Sequence, residues 1–137
     1  SPERIMQSIF KQDYLYWRQT YIDGKYENKE FKDKILSKEN DLSGIDTDEY
    51  VIFLNEKHEL LSPKVLLFLN DKYKEGMQSI TSSYKSDGDY FCKKFEPDDK
   101  RQFFTCKQSV LKNNKIPNMN TLKNNLHMNI PLISYVT

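Results

Sequence analysis

Residues 62–89, SPKVLLFLNDKYKEGMQSITSSYKSDGD, decide how the rest of the chain is read. Ser62 before Pro63 is a helix-start signature: the serine oxygen can accept an early amide, and the missing N–H of proline falls where no intrahelical bond would form. Behind it Leu66, Leu69, Tyr73, Met77, Ile80 and Tyr84 follow at helical steps, which predicts one helix of about five turns. Leu67 and Phe68 widen its apolar face at the amino end. Gly76 stands inside that stripe at a cost of about 1 kcal/mol relative to alanine, which a close backbone contact would explain. KSDGD, residues 85–89, then breaks the helix.

Toward the amino end, residues 49–54 are rich in β-branched and aromatic side chains and predict a strand. Residues 2–21 predict a first helix, opened by Ser1-Pro2 and carrying Met6, Phe10, Tyr14, Trp17 and Tyr21 on one face. IDGK at 22–25 stops it, and Phe31, Ile35 and Leu36 mark a shorter helix within residues 28–40. Toward the carboxyl end, DYFCKKF (89–95) and FFTCK (103–107) predict a hairpin at 89–107. TLKNNL carries a turn of helix, and IPLISYVT (130–137) forms a terminal strand. The expected architecture is α+β, with two or three helices packed on a small, mostly antiparallel sheet. The Asn-rich stretch 113–129 is the expected flexible region.

A chain of 137 residues fits one domain, which buries roughly two thirds of its unfolded surface. Eight Phe, nine Tyr and one Trp make aromatic rings the main filling of its core. The formal net charge of +1 is unevenly spread, because residues 101–137 hold five Lys/Arg and no acid. No apolar run approaches the roughly 20 residues of a membrane-spanning helix. The chain begins SPER without a methionine and is read as excised from a larger protein.

Cys92 and Cys106 are the two cysteines. In the expected hairpin they stand opposite one another, with Phe95 facing Phe103 and Lys93 facing Thr105, so a disulfide is open to them if the pair is of the non-hydrogen-bonded type. Two cysteines form no disulfide framework, and the chain carries no secretion signal, so reduced thiols and an intracellular setting are favoured. His58 and His127 are too scattered relative to the cysteines for a structural metal site, and nothing in the pattern places a base beside a thiol. The acid pairs in DTDE (46–49) and DGD (87–89) sit at element boundaries, where Asp serves as a cap or turn former. No glycine-rich phosphate loop, nucleophile elbow or His-Glu-x-x-His helix is present. The expectation is a non-enzymatic domain without cofactor or metal.

DYLYWRQTY, residues 13–21, is the densest aromatic patch. Trp, Tyr and Arg are enriched at interface hot spots, and one narrow helix face cannot bury all these rings, so Tyr14, Tyr16, Trp17, Arg18 and Tyr21 are the candidate protein-binding residues. A core role for Trp17 with tyrosines at its rim is the competing reading. The alternative function is nucleic-acid binding through the acid-free segment, with Arg101, Lys107, Lys112 and Lys115 on phosphates and Phe103 stacking on bases. DYLYWR also resembles the acid-Tyr-apolar-x-aromatic-basic pattern in the first helices of poxviral immune modulators with the fold of cellular apoptosis regulators. The resemblance covers about a tenth of the chain and implies an all-helical, non-enzymatic protein that binds host signalling components. The strands predicted at 49–54 and 89–107 depart from that family.

Overall fold

The computed structural model describes residues 3–17, 48–113 and 115–137. Among these residues two α-helices, α1 (Glu3–Phe10) and α2 (Val65–Lys74), accompany six strands: β1 (Tyr50–Phe53), β2 (His58–Leu60), β3 (Ser79–Ser86), β4 (Asp89–Phe91), β5 (Phe103–Lys107) and β6 (Asn125–Tyr135). Short 3-10 turns cover Gln108–Val110 and Met119–Thr121. The strands form one curled, mixed sheet in the order β1-β5-β3-β6-β2, and β4 pairs with the second half of β3. The α+β class holds, but the expected small, mostly antiparallel sheet is replaced by a larger one with a parallel β3–β6 pairing at its centre. An all-helical domain of the kind implied by DYLYWR is excluded by that sheet. The helix expected within residues 28–40 lies outside the described residues, as do Ser1 and Pro2.

The predicted five-turn helix is two elements. α2 ends at Lys74 and is stopped by Gly76, whose φ of +98° suits glycine; its N–H donates to Tyr73 O and the next amide, Met77 N–H, donates to Lys72 O. This paired closure is a Schellman stop. A Cβ on Gly76 would meet nothing within 4 Å, so the glycine serves backbone conformation and not close packing. Beyond it SITSSYKS is the central strand. Ile80 and Tyr84, four apart, share a face of a helix but also share a face of a strand, because four is a multiple of two. Both are fully buried.

The hairpin expected at 89–107 is also corrected. β4 turns back on β3 through Asp87-Gly88, with φ of +50° and +90°, the two-residue turn that matches strand twist. β5 instead lies between β1 and β3, so Cys106 stands opposite Val51 and Ser79 and not opposite Cys92. Phe95 stacks on Phe104 at 5.2 Å. Both cysteines are free, Cys92 exposed and Cys106 buried.

The first helix is shorter than its apolar spacing predicts. After Phe10 the side chain of Gln12 takes over: its amide nitrogen donates to Ser8 O (3.0 Å) and Ser62 O (2.7 Å), and its oxygen accepts the Leu66 N–H at the start of α2 (3.0 Å). One buried amide thereby joins the end of one helix to the beginning of the other. Ser8 Oγ donates to Ile5 O and accepts the Leu60 N–H, laying α1 along β2.

The two faces of the sheet are covered differently. On the first, Ile80, Tyr84, Phe103 and Ile133 pack with Ile5 and Met6 of α1 and Val65, Leu66 and Leu69 of α2. On the second, Phe95, Phe104 and Cys106 form a small cluster beneath Val110, Leu111, Ile116, Met119 and Leu122.

Candidate functional site

The aromatic segment behind α1 is held at several points. Asp13 N–H donates to Pro63 O at 2.8 Å, and Lys64 lies 3.5 Å from the Asp13 carboxylate. Tyr14 and Trp17 lean on the main core, Trp17 stacking on Phe10 at 5.7 Å. Between them the chain turns two side chains outward: Leu15 is 55 % and Tyr16 86 % exposed. Tyr16 meets the Tyr14 ring edge-on at 5.5 Å. The candidate set therefore divides. Tyr14 and Trp17 fix the segment, Tyr16 faces solvent, and Leu15 joins it as a residue that hot-spot composition alone did not single out. Arg18 and Tyr21 lie outside the described residues. Gln12 was also missed, because a glutamine carries no motif; its role follows only from three partners distant or local in the chain.

An open cleft of about 470 Å³ with a mixed lining runs between α1 and residues 59–63, with Lys11, Glu59 and Leu61 on its walls. Arg4 and Glu59 stand 3.8 Å apart there.

The cysteines and histidines have separate surroundings. Burial pushes the Cys106 thiol up to about 12, which keeps it protonated and poorly nucleophilic at neutral pH. Cys92 approaches the Asn129 side-chain oxygen at 3.5 Å. His127 bonds to Thr81 Oγ1 at 2.6 Å, and His58 bonds to backbone groups of Asn55 and Arg101. Among the described residues no group of three or more His, Cys, Asp or Glu could hold a metal ion. Asp87 forms the hairpin turn and accepts from the backbone and hydroxyl of Thr137 at 3.2 and 3.0 Å.

The candidate nucleic-acid contacts also divide. Phe103 is fully buried in the main core and has no face left for a base. Arg101 is held by both carboxylate oxygens of Asp99, at 3.0 and 3.1 Å, and lies over the stacked rings of Tyr84 and Phe91. The Arg101 guanidinium holds the Asp99 carboxyl well below the usual carboxylate range, outweighing burial, with the Arg101 amide and Lys93 adding to it. Lys107 lies 5.8 Å from the Tyr50 ring, and Lys112 and Lys115 are exposed on either side of a tight turn.

No protein-family model matches the chain, and no curated protein or solved structure is significantly similar to it. Among the described residues no helix is long and apolar enough to cross a membrane.

Proposed function

We propose that the chain is a non-catalytic protein-binding domain whose contact is centred on Leu15 and Tyr16. The observation that supports this reading is their exposure on a segment that neighbouring residues already fix: Gln12 and Asp13 bond it to the start of α2, and Tyr14 and Trp17 pack it on the core. Burying an apolar side chain on association is favourable, and a segment ordered beforehand loses little further entropy. The partner is a protein surface with an apolar recess for the Leu-Tyr pair and polar groups that complement Asp13 and Lys64 at the rim.

The test places a photoreactive phenylalanine at position 16, identifies the cross-linked partner, and measures the affinity of the purified pair. Leu15→Ser with Tyr16→Ser should weaken that affinity at least tenfold with an unchanged unfolding transition. An affinity indifferent to both substitutions, in a folded variant, rejects the surface.

Nucleic-acid binding remains as a second reading because Lys107, Lys112 and Lys115 share an acid-free stretch that covers the sheet's second face. It requires affinity for single-stranded DNA or RNA that falls steeply with salt. Absence of binding at low salt ends it.

A further inference from the structure

We infer that Asp87-Gly88 is a site of spontaneous backbone isomerisation, held back by the folded hairpin and tuned by Thr137. In this chemistry the Gly88 nitrogen attacks the carboxyl carbon of the Asp87 side chain: a C–N bond forms, a C–O bond breaks, and the nitrogen's proton leaves with the hydroxyl as water. Water then opens the five-membered ring at either carbonyl. One opening restores Asp87, and the other routes the main chain through the side chain as an isoaspartate. Nothing but water is released or consumed.

The turn holds both reacting groups in the open. Asp87 and Gly88 are exposed, and the Gly88 N–H has no hydrogen-bond partner among the described residues. A Cβ on Gly88 would meet nothing within 4 Å, so no neighbour shields its nitrogen. At the other described positions Asp is followed by Tyr14, Glu49, Lys72, Tyr90, Asp99 or Lys100, whose side chains crowd the attacking nitrogen.

The folded backbone opposes the step. With φ of +50° at Asp87 and +90° at Gly88 the turn is of type I′, in which ψ of the first residue is about +30°. Closing the ring brings Cβ, Cα, C and the Gly88 nitrogen into one plane, which requires ψ of about −120°, the value at the same position of a type II′ turn. The peptide between the two residues must therefore flip while Asp87 stays at positive φ, a combination that type II′ turns reserve for glycine. Asp87 is kept there because its N–H donates to Tyr135 O and the flanking Ser86 and Asp89 are paired across the hairpin. An unfolded chain has none of these restraints. Thr137 adds another: its N–H and its hydroxyl both donate to Asp87 Oδ1, at 3.2 and 3.0 Å. They hold the carboxylate on the β6 side of β3, whereas the chain beyond Gly88 enters β4 on the other side. Both bonds are exposed to water, so the turn sets the rate and Thr137 adjusts it.

An isoaspartate adds one methylene to the main chain inside a two-residue turn. The register that sets Tyr84 against Phe91 is then lost, and with it the pair of rings beneath Arg101.

The experiment ages the folded chain and the same chain in urea side by side at neutral pH, and quantifies by mass spectrometry the isoaspartyl form of the tryptic peptide Ser86–Lys93. The folded chain should accumulate it at least about tenfold more slowly than the unfolded one. Thr137→Pro removes both donors and should raise the folded rate about fivefold, with the rate in urea and the amide protection of β3 unchanged. Aged molecules should lose protection at Phe91 while Ile80 keeps it. Absence of isoaspartate from this peptide in urea removes the site, and equal rates in the folded and unfolded chains overturn the restraint by the turn. A folded Thr137→Pro that ages like wild type overturns the part played by Thr137. Should that variant fail to fold, Thr137→Val, which lacks only the hydroxyl, should age about twice as fast as wild type, and an unchanged rate counts against Thr137 in the same way.

Discussion

The two faces of the sheet solve burial with different chemistry. Along β3 the side chains of Ile80 and Tyr84 enter the helix-covered core, whereas Ser79, Thr81 and Ser83 turn the other way and bond to β6: Ser79 to the Asn125 side chain, Thr81 to His127 and Ser83 to Met128 O. Apolar contact is indifferent to a sideways slip as long as rings stay covered, but hydroxyls paired one by one are not. The first face therefore supplies most of the stabilisation, and the second helps specify which residue of β6 meets which residue of β3. β6 needs that guidance, because its residues 129–132 stand opposite Ser83 alone before the pairing resumes at Tyr84 and Ile133.

Adjacent phenylalanines give the largest test of this contrast. Phe103 points into the main core and Phe104 into the small cluster, whose covering residues are half-buried and can settle into a void. Phe103→Ala should cost about 4 to 5 kcal/mol and Phe104→Ala about 3, read from urea unfolding. Equal losses would mean that the second face is packed as firmly as the first.

Gln12 belongs to the helix layer of the first face, and Gln12→Ala strands a buried amide and two carbonyls together. A loss of about 2 to 3 kcal/mol is expected, with α2 fraying from Leu66 in amide exchange. Full protection at Leu66 in the variant would show that something else caps α2.

One substitution made on both faces sharpens the comparison further. Thr105 Oγ1 donates to Val51 O at 2.8 Å and accepts the Tyr73 hydroxyl, whose pKa burial raises. Thr105→Val leaves that deeply buried hydroxyl without its acceptor and should cost about 2 kcal/mol. Thr81→Val removes a bond to the half-buried His127, which water can reach, and should cost about 1 kcal/mol or less. The smallest effect belongs to Tyr16→Ser, expected within about 0.5 kcal/mol of wild type in unfolding because the side chain is already in water.

The sequence disclosed strands better than their partners. Residues 49–54 and 130–137 read correctly as strands because β-branched and aromatic residues cluster there, though β6 begins earlier, at Asn125, where polar side chains hide it. Ile80 and Tyr84 misled because their spacing fits both periods, and only the positive φ of Gly76 separates α2 from β3. The hairpin was misplaced because Asp87-Gly88 was read as a helix stop and not as a turn joining two strands. The aromatic surplus behind α1 told only that some ring would be left outside; that it is Tyr16 among the described residues depends on Gln12 and Asp13 reaching across to residues 62–66. Such long-range polar ties leave no periodic trace. The burial of Phe103 was equally hidden, since neighbouring phenylalanines on a strand face opposite ways and only the sheet order says which way is covered.

The hydroxyl of Ser8 occupies an outward backbone amide of β2, a strand at the margin of the sheet. A proteolytic cut before Asp13 would strip away that guard and bare the Leu60 N–H and, with Gln12 gone, the Ser62 carbonyl. Such a truncated chain should add strands from neighbouring molecules and precipitate, so the small helix at the amino end acts as a safeguard against aggregation.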